Sequence, residues 1–568
     1  ERYREYYEYS QDANSGEYKA SLSHTLSELT VQHNEDTKVN GQVSLNYHNR
    51  LGLHDFTGLL LWEFYNDNGD WFNAYRQFDV AAIDQLRAGN TTNMKNDGIP
   101  NEAAHEGLVG RINYGYADKY LAEFSFRYDG SYKFAPGSRW GFFPAVSIGW
   151  RISEENFFKK ALPMIDNLKI RGSWGKIGDE SSLSAFQYLT GYIYPSGSYK
   201  LGTTGMSIGA MDSGLANSSL TWYESKTTNI GFDGSAWKGL LSVEFDYFVR
   251  LRDGLLANRI LSLPTTFGAT LPQENLNSDK TQGFEISLGH RYHIGKDFHY
   301  DVKANFSTTR NYYRYVERAE SANKFENWRN NTNDRVKGIQ WGKVAIGQFK
   351  SYEEILNSPI QDGNGNKSLM PGDIKYEDWN NDGIIDDKDN QPIGRGTDPH
   401  IYYGLNITAS YKNFDVSIFF QGAAGHEVFR SGDAAMPFIQ QGLGNGFTIW
   451  ENCWHLSDPS DKSSEWIAGD MPALRPTGFS LNAQNSTWSK MNASYLRLKT
   501  LEIGYTLPHT CLVALGISNC RFFVNGYNMF TFSSRKRMMK WMDPENSDSA
   551  YRTYPQMKTY NIGLTLTF

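Results

Sequence analysis

The ten residues TYNIGLTLTF, Thr559–Phe568, decide the fold. Tyr560, Ile562, Leu564, Leu566 and Phe568 fall on one side of an extended chain, and Asn561, Gly563, Thr565 and Thr567 on the other. Side chains alternate along a strand, so this is a strand with one apolar face. A helix would scatter the same residues around its circumference.

The alternation recurs upstream. In GRINYGYADKYLAEFSFRYDG, Gly110–Gly130, Ile112, Tyr114 and Tyr116 alternate with polar residues, and Ala122, Phe124, Phe126 and Tyr128 do so after the Ala117-Asp118-Lys119 turn. Two such runs around a tight turn make a hairpin. Leu241, Val243, Phe245, Tyr247 and Val249 share a face of LLSVEFDYFVR, and residues 283–310 and 401–422 form two more hairpins. YLRLKTLEIGYTLP leads through a longer turn into RFFVNGYNMFTF. The pattern predicts an all-β chain of roughly 16 strands of about ten residues, the length that crosses a bilayer when tilted.

The connections alternate as well. Turns such as Tyr411-Lys412-Asn413 and Gly295-Lys296-Asp297 are short, whereas residues 66–106, 177–220, 311–398 and 425–492 are expected to be long loops. Short turns at one end and long loops at the other are the asymmetry of a large antiparallel transmembrane β-barrel, with periplasmic turns and extracellular loops. The chain divides accordingly: residues 1–106 as barrel strands and a long loop, 107–310 as barrel hairpins, 311–398 as a long extracellular loop, and 399–568 as the C-terminal strands ending in Phe568. A propeller or β-helix also has many short strands, but no repeat of fixed period is present, and the uneven loops argue against blades.

Composition agrees. Aromatic residues make up 15% of 568 residues, while mean hydropathy is −0.56. No stretch approaches the roughly 20 consecutive apolar residues of a membrane-spanning helix. A barrel tolerates a polar average because only every second residue meets lipid. Net charge is −7 with no long basic run, so nothing recommends nucleic acid as a partner. Three cysteines supply neither a disulfide framework nor a zinc spacing; Cys511 and Cys520 lie near enough in sequence to pair, and Cys453 is left over.

One motif carries metal chemistry. DWNNDGIIDDKD, Asp378–Asp389, follows the spacing of a calcium loop: Asp378, Asn380 and Asp382 at the first alternating positions, Gly383 at the sharp turn, Ile384 through its carbonyl, then Asp386 and Asp389. Carboxylates this close repel one another without a cation. Asp389 stands where a longer Glu would chelate with both oxygens, so weak, water-completed Ca²⁺ binding is expected, stiffening a long loop. The alternative is an Asp/Asn/Gly turn without metal.

Catalytic constellations are absent: HLSD at His455–Asp458 makes no nucleophile arrangement, and Glu154 and Glu155 read as a solvated pair rather than a glycosidase pair. No enzyme is expected. Strand aromatics such as Phe124, Phe126, Phe419 and Tyr505 read as wall residues. Those between Trp62 and Trp71, Trp341 and Phe349, and Trp450 and Trp466 fall in expected loops, where they pack or grip a solute.

Longer words then become recognisable. Residues 127–158, LKIRGSWGKIGDE, LTWYESKTTNIGFD, PGDIKYEDWNNDGIIDDKDNQPIG, residues 403–425, YLRLKTLEIGYTLP, FFVNGYNMFTF and the terminal YPQMKTYNIGLTLTF resemble, in this order, the barrel of the SusC/RagA-type TonB-dependent transporters of Bacteroidetes. The resemblance implies an outer-membrane barrel of about 22 strands closed by an internal plug. It also implies a SusD-like lipoprotein lid, coupling to the TonB complex, a glycan or peptide substrate, and a higher oligomer of transporter–lipoprotein pairs. Plug, TonB box and about six strands are expected to belong to a part preceding Glu1, without which the chain should neither close nor transport. A structural platform in an outer-membrane complex is the alternative function.

Overall fold

The computed structural model describes residues 7–11, 17–22, 27–78, 83–200, 202, 206–260, 271–438, 446–475, 479–512, 516–533, 542–546, 553–554 and 556–568. Fifteen strands form one sheet in which every neighbour in space is also the neighbour in sequence. They are β1 (Ser27–Leu51), β2 (His54–Phe78), β3 (Lys95–Tyr116), β4 (Tyr120–Ser131), β5 (Trp140–Arg151), β6 (Ile165–Asp179), β7 (Tyr223–Ala236) and β8 (Leu241–Asn258). The chain continues through β9 (Gln273–Ile294), β10 (Phe298–Tyr315), β11 (Ile401–Tyr411), β12 (Phe414–Ala424), β13 (Tyr495–Thr506), β14 (Asn519–Ser533) and β15 (Thr559–Thr567). All pairings are antiparallel, and β1 and β15 are the outer strands.

One end of this meander carries the tight connections, such as Gly52-Leu53, Ala117–Lys119, Gly295–Asp297 and Lys412-Asn413. Ala117 and Asp118 both adopt positive φ, 54° and 57°. That turn geometry matches the right-handed twist of the strands it joins. The longer turn between β5 and β6 holds helix α1 (Asn156–Ala161). At the opposite end lie the long segments 180–222, 316–400 and 425–494.

The two faces of the sheet differ in chemistry. Ile112, Phe124, Ile148, Ile230, Leu288 and Ile562 are large, apolar and exposed, Ile148 at 69% and Leu288 at 48%. Towards the tight turns, aromatic pairs gather on neighbouring strands: Tyr120 with Trp150 at 6.5 Å between ring centres, and Phe414 with Tyr505 at 4.6 Å. Further up, Phe232, Phe245, Phe284 and Phe306 form a ladder over four strands at 5.7, 6.2 and 5.8 Å. An apolar band bordered by aromatic rings is the surface a bilayer selects.

The alternate positions carry charge. Arg171 on β6 reaches Asp233 on β7 at 3.0 Å and Asp246 on β8 at 2.5 Å. It crosses the intervening strand at Gly231, where a Cβ would lie 3.0 Å from its Nη1 and 2.5 Å from the Phe245 carbonyl. Arg521 on β14 spans β13 in the same way to pair with Asp415 on β12, also donating to Glu502 at 2.7 Å, and a Cβ on Gly504 would collide with its guanidinium. At Gly231 the Phe245 carbonyl and Asp246 leave no room for a Cβ, whereas at Gly504 a Cβ would have to displace the arginine's guanidinium.

Two expectations change. Among the described residues the sheet holds fifteen strands, in keeping with the roughly 16 expected, but several exceed the ten or so residues of a bilayer crossing, β1 and β2 reaching 25. Residues 66–106 are not one long loop: Asn66 pairs with Ala104 and Tyr75 with Lys95, so β2 and β3 continue through most of it, and Trp62 and Trp71 are strand residues. The reason is solvent. Beyond the apolar band a strand has water on its outer face, alternation disappears from the sequence, and the main-chain ladder alone holds it. Consistently, Lys176, Glu224, Lys226 and Asp253 form ion pairs on the same high parts of β6 to β8.

Among the described residues, most compact apolar cores lie in the long segments and only one reaches down to the sheet's rim. Phe349, Ile355 and Leu369 pack with Phe479 and Leu481, and Ile374, Tyr376 and Ile385 with Ala345 and Trp488. The described residues of segments 316–400 and 425–494 therefore fold together as one body on the long-loop end.

Candidate functional site

The acidic loop Asp378–Asp389 sits in that body. It is wound by its own carboxylates: Asp378 accepts from the backbone N–H groups of Asp382 (3.2 Å) and Gly383 (2.8 Å), Asn380 Oδ1 from Asp382 (3.0 Å), and Asp382 Oδ1 from Ile384 (3.0 Å). Each is a side chain bonding the backbone just ahead, which favours tight turns. Gly383 turns at φ 83°. The Ile384 position is pinned from behind, where the N–H of Ile360 donates to Gly383 O at 2.9 Å and that of Ile385 to Ile360 O at 2.8 Å.

Asp389 has another role than a closing ligand. It is fully buried, and its two oxygens accept from the N–H groups of Trp379 (2.9 Å) and Asp386 (2.8 Å), clamping the ends of the loop together. Asp382 and Asp386 instead share the Lys388 ammonium at 3.6 and 3.3 Å. Hydrogen bonds from the Asn380 amide and the Ile384 N–H, with Lys388 nearby, hold Asp382 below the usual carboxylate range. Behind the loop, burial pushes the Lys343 ammonium down while Asp387, Asp389 and Asp386 pull it back up. Among the described residues no three His, Cys, Asp or Glu side chains converge as metal ligands. The loop thus brings together Asp378, Asn380 and Asp382, places Asp386 beside them through Lys388, and leaves Asp389 underneath.

Against this loop lies helix α2 (Lys324–Asn330), started by Asn323, whose side chain accepts from the Glu326 N–H at 2.9 Å. A one-turn spacing puts Phe325 and Trp328 on one side, 5.8 Å apart, and both rings meet Trp379 of the loop at 5.6 and 6.0 Å. Arg329 donates to Asp387 O at 2.7 Å, fastening helix to loop. The Arg335 guanidinium stacks behind Trp328 and Trp341 at 5.3 and 5.8 Å. Trp379 stood inside the acidic motif and Trp328 in KFENWRN; neither sequence word carries a signal for a shared cluster, since the partners are about fifty positions apart.

The two long segments are locked by polar contacts as well as by their cores. Asp373, fully buried, pairs with Arg475 at 3.0 Å and accepts from Asn482 at 2.8 Å; Tyr376 donates to Leu481 O at 2.7 Å. Phe349, Trp450 and Trp454 are buried packing residues. Glu155 is occupied by Tyr120, Lys119 and Trp150, and Glu154 by Lys159, so that pair anchors α1. All three thiols are free, and Cys511 and Cys520 do not pair.

These features have counterparts. A family model described as TonB dependent receptor-like, beta-barrel, matches residues 2–424. The TonB-dependent receptor P3 of Formosa agariphila is 27% identical over 564 residues, covering 95% of this chain and 53% of the relative. The TonB-dependent receptor SusC of Bacteroides thetaiotaomicron is 27% identical over 484 residues, covering 81% and 43%. Among solved structures, the RagAB peptide importer in its open-open state superposes with a TM-score of 0.74 at 21% identity, over 95% of this chain and 56% of that one. The chain spans about half the length of the curated relatives it matches. Its exposed apolar band, charged alternate positions and one-ended loops are those of a membrane barrel, and the chain belongs to the TonB dependent receptor-like β-barrel family of the outer membrane.

Proposed function

We propose that this chain forms the wall and loop body of a TonB-dependent importer that takes up oligosaccharides or oligopeptides together with a SusD-like surface lipoprotein. The observation that carries this reading is the division of surfaces: apolar outward positions, ion pairs such as Arg171–Asp233–Asp246 at the alternate ones, and a folded body at one end only. The band holds the protein in lipid. The charged positions give a polar solute or a plug hydrogen-bonding partners without an apolar surface to stick to. Strands continuing beyond the bilayer and the body above them form a vestibule for a lid, and TonB draws on a plug from the opposite side. Pairs of transporter and lipoprotein assemble further into a higher oligomer. The test is uptake of labelled oligosaccharides and oligopeptides by cells carrying or lacking the gene, with and without TonB. Uptake lost in both deletions is expected; uptake indifferent to TonB would favour a structural platform instead.

For the acidic loop we infer a weak Ca²⁺ site built on Asp378, Asn380, Asp382, the Ile384 carbonyl and Asp386, completed by water, with Asp389 as the clamp that frames it. Support comes from the Lys388 ammonium, which shows that positive charge is accommodated between Asp382 and Asp386. In this geometry the remaining carboxylate oxygens face backbone N–H groups, so the donors fit only in part, and dissociation constants of about 10⁻⁴ to 10⁻³ M are expected. Calorimetry on the purified protein should show that affinity rising severalfold in Lys388→Ala, where the competing ammonium is gone. Absence of binding at millimolar calcium in both proteins would sink the site.

A further inference from the structure

At the tight-turn end, the hairpin of β9 and β10 brings two imidazoles together. We propose that His293 and His299 form a two-nitrogen site for a first-row transition-metal ion, Cu²⁺ or Zn²⁺. The inference is independent of what the barrel imports and of the acidic loop.

Strand register makes the pair. β9 and β10 match residue for residue from Asp279 opposite Tyr313 down to Ile294 opposite Phe298, and Gly295, at φ 66°, begins the turn. His293 therefore lies directly opposite His299. Residues so placed share a face, with Cβ atoms about 4.5–5.5 Å apart. It is the face that alternates with Leu288, and the next opposed pair on it is Arg291 with Asp301. The two rings stand 4.5 Å apart between centres at 77°, with Nδ1 of one in contact with Nδ1 of the other.

That contact suits a metal ion. Imidazole nitrogen is a ligand for copper, zinc and nickel, whereas Ca²⁺ and Mg²⁺ take oxygen. Metal–nitrogen bonds of about 2.0–2.1 Å hold two neighbouring ligand nitrogens roughly 3 Å apart, a separation that small ring rotations reach from the observed contact. Without metal, one Nδ1 must donate its proton to the other. With metal, the donor ring takes its other tautomer, with the proton on Nε2, so both Nδ1 lone pairs face the ion and no net proton is released. Among the described residues no third His, Cys, Asp or Glu joins them, so water fills the remaining positions.

Other imidazoles near the tight turns have different partners. His54 meets the Tyr114 hydroxyl at 2.9 Å, His48 reaches Asp55 at 3.3 Å, and His290 stacks on Tyr300 at 5.4 Å. His293 and His299 are both exposed and have each other. An exposed pair gains little by turning from water to a second imidazole, and a chelated ion supplies what that arrangement otherwise lacks.

The experiment uses the protein purified from its own outer membrane in detergent, without a histidine tag. Copper EPR at one equivalent of Cu²⁺ should show coupling to two nitrogens, and calorimetry should show Cu²⁺ binding more tightly than Zn²⁺ at the same site. His293→Ala and His299→Ala should each weaken Cu²⁺ binding by roughly tenfold or more, at least the loss that follows removal of a ligand's supporting partner. His299→Gln, which keeps a polar exposed side chain and removes the ring nitrogen, should do the same. His290→Ala should bind as the parent does, and millimolar Ca²⁺ should displace nothing. Heat-modifiable gel mobility checks that each variant is folded. A parent spectrum with one nitrogen or none, or parent-like Cu²⁺ affinity in any of the three variants at positions 293 and 299, overturns the proposal.

Discussion

Leu288 on the sheet and Phe349 in the loop body are both large and apolar, yet one is 48% exposed and the other fully buried. The wall is turned inside out relative to the body, with charges such as Arg171 and Asp246 at the positions that alternate with its exposed apolar ones. The body follows the ordinary rule, its apolar cores inside and the charges it does bury, such as Asp373, paired or hydrogen-bonded. One polypeptide thus folds for two solvents. The wall is held by its main-chain ladder and by lipid, the body by close packing, so equivalent damage should have different consequences in the two places.

Phe349→Ala is expected to have the largest effect, about 3–5 kcal/mol from lost burial and the cavity left. It should be local: limited proteolysis should cut segments 316–400 and 425–494 while the strands stay protected. Unfolding of the strands at the same protease dose would show that the two regions are one cooperative unit. Leu288→Arg attacks the wall where it faces lipid, with an expected cost of about 2–4 kcal/mol near the bilayer centre. Folding measured in lipid vesicles should suffer and the same measurement in urea-free detergent much less; an equal loss in both would place Leu288 away from lipid. Smaller still is Gly504→Ala, which forces the Arg521 guanidinium off its path to Asp415, at about 1–3 kcal/mol for overpacking. Pairing it with Arg521→Met should relieve much of that cost, and a purely additive double variant would refute the steric account.

Much of the wall was legible because its information is local. The Ala117-Asp118-Lys119 hairpin, the Gly295–Asp297 turn and the terminal Thr559–Thr567 strand need only alternation and turn chemistry to be recognised. The upper halves of β2 and β3 were hidden, since a strand with water on its outer face needs no apolar alternation, and NDNGDW reads as loop whether paired or not. In the candidate site the acidic spacing was visible, and so were the turns it makes. Asp389 looked like its neighbours, although burial makes it a clamp.

By itself, then, the order of residues determined the period of the strands, the side of each tight turn and the presence of an acidic loop, because these depend on neighbours within a few positions. Only the tertiary structure decided that Phe349 is core while Trp328 and Trp379 stay exposed, that Asp373 meets Arg475, and that Gly231 and Gly504 lie beneath arginines from the next strand. Those outcomes depend on which distant segments touch, and a residue's type does not state what will be packed against it.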